Sequence, residues 1–223
     1  MKLKFVFIFS IFYFLFFILS ATLATEAPQI IFSWQANNFF PADYEGKALV
    51  GPNTQISIAV EAIQNNKLVD LSRATIAWHI DGKFYNKGVG MKEILFSGDK
   101  LRGDDYFARA VIQNNKTSFE SSIRIPVSGF NLVVKVPYYQ NVVAAGSKAT
   151  LEAIPYFMNV NSLSEIDFFW EIGGTVKKTT GNNQLILNIP VGARAETLTL
   201  NTSAQNTKNK LEVVKGSGKL LIK

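Results

Sequence analysis

One phrase of this chain occurs twice. LSRATIAWHIDG, from Leu71 to Gly82, returns 92 residues downstream as LSEIDFFWEIGG, from Leu163 to Gly174, and the same offset carries QNNK at 113–116 onto QNTK at 205–208. A period of that length is far longer than a solenoid repeat and suits one small β-sandwich, so the chain reads as two tandem copies of one domain.

Alternation of period two supports the β reading in both copies. Ile56, Ile58, Val60 and Ala62 alternate with Ser57, Ala59 and Glu61, and Ile76, Trp78 and Ile80 alternate with Ala77, His79 and Asp81. Asp81-Gly82 follows with turn chemistry, because Gly accepts positive φ and Asp bonds its own backbone. Strands are predicted at 92–97, 106–113 and 118–127, then at 132–136, 149–157, 166–172, 184–189, 197–203 and 210–215, with 219–222 as an added edge strand. No stretch after residue 24 sustains helical periodicity for ten residues. The expected fold class is all-β, two tandem sandwiches at 25–127 and 128–223, joined by the short segment Pro126–Phe130 that restricts their relative motion.

Residues 1–24 read as a signal peptide. Lys2 and Lys4 precede an apolar run from Phe5 to Leu19, and the small residues from Ser20 to Ala24 suit cleavage after Ala24. The alternative is an uncleaved anchor, since the run is long enough to span a bilayer. Without the leader 21 basic side chains face 17 acidic ones, a mild positive charge that gives no specific nucleic-acid signal. Two domains of this size can each close a core, and with no Cys they must do so without disulfides. Absence of Cys alongside abundant Asn, Lys, Ile and Phe favours a bacterial source.

Trp78 on the third strand resembles the core Trp of immunoglobulin-like sandwiches. Asp105-Tyr106-Phe107-Ala108 resembles the segment where such domains place a Tyr two residues before their second Cys, with Ala108 at the Cys position. The similarity points to disulfide-free bacterial surface relatives, PKD-like domains among them. It implies structural roles for Trp78, Trp170 and Tyr106, whereas Leu198 stands where a second corner Tyr would align.

Several segments are candidates for function. The first copy spends 18 residues, Ala36 to Asn53, between its first two strands, where the second copy spends 11 from Pro137 to Ser147. Long loops are often functional, and Phe39, Phe40 and Tyr44 beside Asp43, Glu45 and Lys47 form either an aromatic binding lip or a cap on the sandwich end. In the second reading Lys47 to Val50 is the switched half of a split first strand. Lys208, Lys210, Lys215, Lys219 and Lys223 form a basic strip with only Glu212 in opposition, suited to an anionic polymer or to protecting a sheet edge. Arg102-Gly103-Asp104, a Ca²⁺ set at Asp99, Asp104 and Asp105, and glycosylation sequons at Asn115 and Asn201 are weaker alternatives. His79 is the single His, which leaves a serine triad one base to draw on and a zinc site short of ligands.

The expectation is a non-catalytic secreted or cell-surface protein with no cofactor and no metal, acting through contacts with a protein partner in adhesion, surface structure or assembly. A binding module for an anionic or carbohydrate polymer is the alternative, and a cryptic hydrolase the third. Membrane contact is expected only through the leader, if it is uncleaved.

Overall fold

The computed structural model describes residues 27–114 and 117–223. The leader, and Asn115 and Lys116 with the Asn115 sequon, lie outside those residues.

Eight strands build the first sandwich: β1 (Gln29–Asn37), β2 (Gln55–Gln64), β3 (Lys67–Leu68), β4 (Thr75–Ile80), β5 (Lys83–Val89), β6 (Glu93–Ser97), β7 (Asp105–Asn114) and β8 (Thr117–Pro126). β2 is the hub of one sheet, pairing β1, β3 and β6, and the other sheet runs β5-β4-β7-β8. Val50 adds a parallel bridge to Val127 beyond β8, so the chain does switch sheets near the end of the long first-copy loop.

The second sandwich repeats the plan with β9 (Asn131–Lys135), β10 (Val142–Val143), β11 (Lys148–Tyr156), β12 (Ile166–Ile172), β13 (Thr175–Thr180), β14 (Gln184–Asn188), β15 (Glu196–Asn206) and β16 (Val213–Ile222). Its sheets are β14-β11-β9 and β10-β16-β15-β12-β13, and β10 is again the short parallel partner of the last strand. The same strand order in both copies makes this a pair of tandem immunoglobulin-like β-sandwiches.

Alternation explains why these segments fold inward as they do. Ile56, Ile58, Val60 and Ala62 of β2 meet Ile76 and Trp78 of β4 and Tyr106, Ala108, Ala110 and Ile112 of β7 in one buried cluster. Leu151, Ile166, Phe168, Trp170, Leu200 and Leu220 anchor the other. Both tryptophans are fully buried, yet their indoles differ. Trp78 Nε1 donates to the Met91 carbonyl at 2.9 Å, while buried Trp170 Nε1 has no acceptor among the described residues.

Tyr106 makes the anticipated corner: its hydroxyl accepts from the Lys100 backbone N–H at 3.0 Å. A Cβ on Gly98 would lie 2.2 Å from that hydroxyl, so only Gly leaves room for it. Burial pushes the Tyr106 phenol up from its usual range. Leu198 packs against the second core and forms no such bond.

Two features differ from the sequence reading. β5 and β13 carry no apolar alternation, because each is an exposed outermost strand held by backbone pairing to β4 or β12. Asp81 (φ 52°) and Gly82 (φ 78°) form the tight turn that sends the chain back into β5. The stretches anticipated as separate strands at 210–215 and 219–222 join instead in the single strand β16. Its Gly216 and Gly218 sit against β9, where a Cβ on Gly216 would come within 2.5 Å of the Leu132 carbonyl oxygen.

Candidate functional site

The long loop after β1 folds onto the second sandwich. Phe39 exchanges backbone hydrogen bonds with the segment following β11: its N–H donates to Met158 O at 2.8 Å, and its carbonyl accepts from Phe157 N at 2.6 Å. Its side chain packs on the second core. Tyr44 sets its ring edge-on to Tyr156 and to Phe157, with both centroid separations 5.6 Å. Phe40 meets Tyr44 edge-on and is 37% exposed. Of the three aromatics singled out in the sequence, two therefore face the neighbouring domain and one reaches solvent.

Close approach and strain mark the same junction. A Cβ on Gly51 would sit 2.4 Å from the Phe130 ring, so Gly there leaves room for the aromatic that opens the second domain to approach the first. Phe157 is held at φ 65°, a left-handed conformation that costs a bulky side chain on the order of 1 to 3 kcal/mol. Its bond to Phe39 and its ring contacts keep it there.

Beside the aromatics lies a polar knot centred on Asn159. The Asn159 amide nitrogen donates to Pro52 O at 2.9 Å and to Glu212 Oε2 at 3.3 Å, while its Oδ1 accepts from the Thr54 hydroxyl at 2.7 Å. The Glu212 carboxylate also accepts from Asn159 N and from Asn206 Nδ2. Thr54, Asn206 and Glu212 are buried, and each is hydrogen-bonded. Buried polar groups arranged this way fix geometry, because breaking one bond strands several partners.

Two members of the lysine strip are neutralised. Lys208 pairs with Glu165, and Lys210 pairs with Asp167 at 3.2 Å. Asp167 also takes Lys178 at 2.9 Å and the Thr180 hydroxyl at 2.6 Å. The Thr180 hydrogen bond, joined by the two lysines and opposed by burial, holds the Asp167 carboxyl at about 2. Lys215 and Lys219 are exposed on the outward side of β16.

The outer face of β5-β4-β7-β8 carries three exposed large apolar side chains. Phe84 is 63% exposed, Phe107 53% and Val89 70%. Strand registers put Phe84, His79 and Arg109 in one row, and Lys87, Ala77 and Val111 in the next. Phe84 meets the His79 ring edge-on at 5.9 Å. Ion pairs of Arg109 with Glu120 and of Arg124 with Asp105 stand on the same face. Sequence reasoning missed this face. Phe107 could have been found from its phase, since it neighbours inward Tyr106; Phe84 could not, because the strand that carries it has no alternation.

The remaining candidates take ordinary places. Asp104 closes its own turn by accepting from Leu101 N, and Gly103 turns there at φ 96°. Asp99, Asp104 and Asp105 do not converge, and among the described residues no group of three acidic, His or Cys side chains is placed to hold a metal. Among the described residues no helix is long and apolar enough to cross a membrane.

No protein-family model matches this sequence, and no curated protein sequence does. Solved structures give distant likenesses. The three N-terminal domains of the bacteriophage RB49 Highly Immunogenic Outer Capsid protein align at 14% identity and TM-score 0.47, covering 88% of this chain and 59% of that one. Fibronectin(III)-like modules of Clostridium thermocellum CbhA align at 12% identity and TM-score 0.31, over 86% of this chain and 94% of theirs. The chicken interferon gamma receptor alpha chain aligns at 10% identity and TM-score 0.36, over 79% of this chain and 96% of its own. The chain thus spans about three fifths of the capsid protein fragment, and its fold assignment rests on the strand order described above.

Proposed function

We propose that this chain is an exported, non-catalytic contact protein whose first domain docks a protein partner on the outer face of β5-β4-β7-β8. One observation carries the reading: Phe84, Phe107 and Val89 stand exposed on one sheet face, with the Arg109–Glu120 and Arg124–Asp105 ion pairs among them. Exposed aromatic anchors with charged and polar neighbours are common in protein interfaces. The division between the domains falls at Val127/Ser128, supported by two separate core clusters on either side. Export is read from the leader, with its basic start, apolar run and small-residue end.

The test is chemical cross-linking of the folded protein to envelope extracts, comparing the wild type, Phe84→Ser/Phe107→Ser, and Leu211→Ser as a control at an exposed tip of the other domain. Loss of a cross-linked protein in the double variant, with retention in the control, supports the docking face. Identical patterns in all three would reject it.

A further inference from the structure

The second domain carries a different kind of surface. On the outer side of its larger sheet, β12, β13, β15 and β16 enclose a shallow open groove of about 510 Å³. Strand registers set its side chains in two adjoining rows: Phe169, Ser203 and Lys215 in one, Glu171, Asn201 and Ser217 in the other. Val176 stands opposite Glu171 and closes the β13 side. Strands lie about 4.8 Å apart, so each row spans roughly 10 Å, and the groove roughly 14 Å once Val176 on β13 is included.

Among the described residues, no hydrogen bond or ion pair engages the side chains of Glu171, Asn201, Ser203, Lys215 or Ser217. They therefore present a carboxylate, an amide, two hydroxyls and an ammonium to whatever enters. Charge decides what that is. Within the lining Glu171 and Lys215 cancel in charge, and Lys178, which overhangs the Phe169 ring, shares the Asp167 carboxylate with Lys210. A lining whose own charges cancel gives a polyanion little electrostatic advantage. Phe169 is the single ring in the lining, too little apolar area for the core of a protein interface.

The geometry points to a binding site for a neutral oligosaccharide in the groove between Phe169 and Ser217. The Phe169 ring receives the apolar C–H face of a sugar, Asn201 both donates and accepts, Glu171 accepts hydrogen bonds from hydroxyls, and Lys215 donates them. The mixed donor and acceptor set matches a ligand whose every hydroxyl can do either.

The test is affinity electrophoresis of the folded two-domain protein in gels containing a soluble β-glucan, a mannan or a galactan, with alginate as the anionic comparison. Retardation in at least one neutral gel, unchanged by added salt, is the expected result. Asn201→Ala should weaken it about fivefold to tenfold by removing the amide bonds. Ser217→Arg should abolish it by filling the groove, while Phe84→Ser/Phe107→Ser should migrate as the wild type does. Absence of retardation in all three neutral gels overturns the proposal. So does retardation confined to alginate and lost with salt, or both groove variants behaving as the wild type.

Discussion

Trp78 and Trp170 occupy equivalent buried positions, but among the described residues only Trp78 donates its N–H to an acceptor, the Met91 carbonyl. Truncation of either to Ala removes a large core side chain and costs on the order of 3 to 5 kcal/mol. Replacement by Phe separates the two. Trp78→Phe should destabilise more than Trp170→Phe by about 1 kcal/mol, because it also leaves the Met91 carbonyl unpaired. Denaturant midpoints of the two variants check this, and equal losses would contradict it. Asn159 offers a second contrast. Asn159→Ala strands Pro52 O, Thr54 and part of Glu212, at about 1 to 3 kcal/mol. Asn159→Asp keeps the shape but sets a second carboxylate against Glu212, so it should be the more damaging change at neutral pH. That excess should shrink on acidification as carboxylates protonate. A constant gap between the two variants from pH 7 to pH 3 would count against the charge argument.

At the scale of elements, Asp167 ties β12 to β13 through Thr180 and Lys178, and to the loop before β16 through Lys210. Its carboxyl sits near 2 when folded, against an ordinary value near 4 in an unfolded chain. A depressed folded pKa stabilises above the unfolded value and loses that contribution as pH falls from about 4 to 2. The partner lysines are more than half exposed, so the contribution is about 1 to 2 kcal/mol after screening. Asp167→Asn should flatten the stability profile in that acid window and lower stability at pH 7. Retention of the wild-type slope would assign it to other carboxylates. β5 and β13 show why some elements were not legible in the sequence. Their residues mostly face water, so backbone pairing alone defines them and no side-chain period announces them. For a related cause β16 looks like two strands in the sequence: Gly216 and Gly218 read as breakers, although β9 lies against them.

At the scale of the whole molecule, the junction joins the sandwiches through Phe39, Tyr44, the Gly51–Phe130 contact and the Asn159 knot. The folded chain should therefore unfold in one cooperative calorimetric transition, and Phe39→Ser combined with Asn159→Ala should split it into two. Two transitions already present in the wild type, or one persisting in the double variant, would show that the junction does not couple the domains. Much of the architecture was legible locally. Period-two alternation, paired tryptophan phrases and the Asp81-Gly82 turn are each contained within a few residues, and each follows from backbone geometry and burial alone. The surfaces were not. Thr54 meets Asn159 across 105 positions of sequence, and Glu165 and Asp167 neutralise lysines that form an uncompensated strip when read in line. Nothing local distinguishes an aromatic loop that binds a partner from one that packs on the next domain, because both require the same apolar area. Only the folding of one copy against the other turned Phe39 and Tyr44 toward the junction and left Phe84 and Phe107 in solvent.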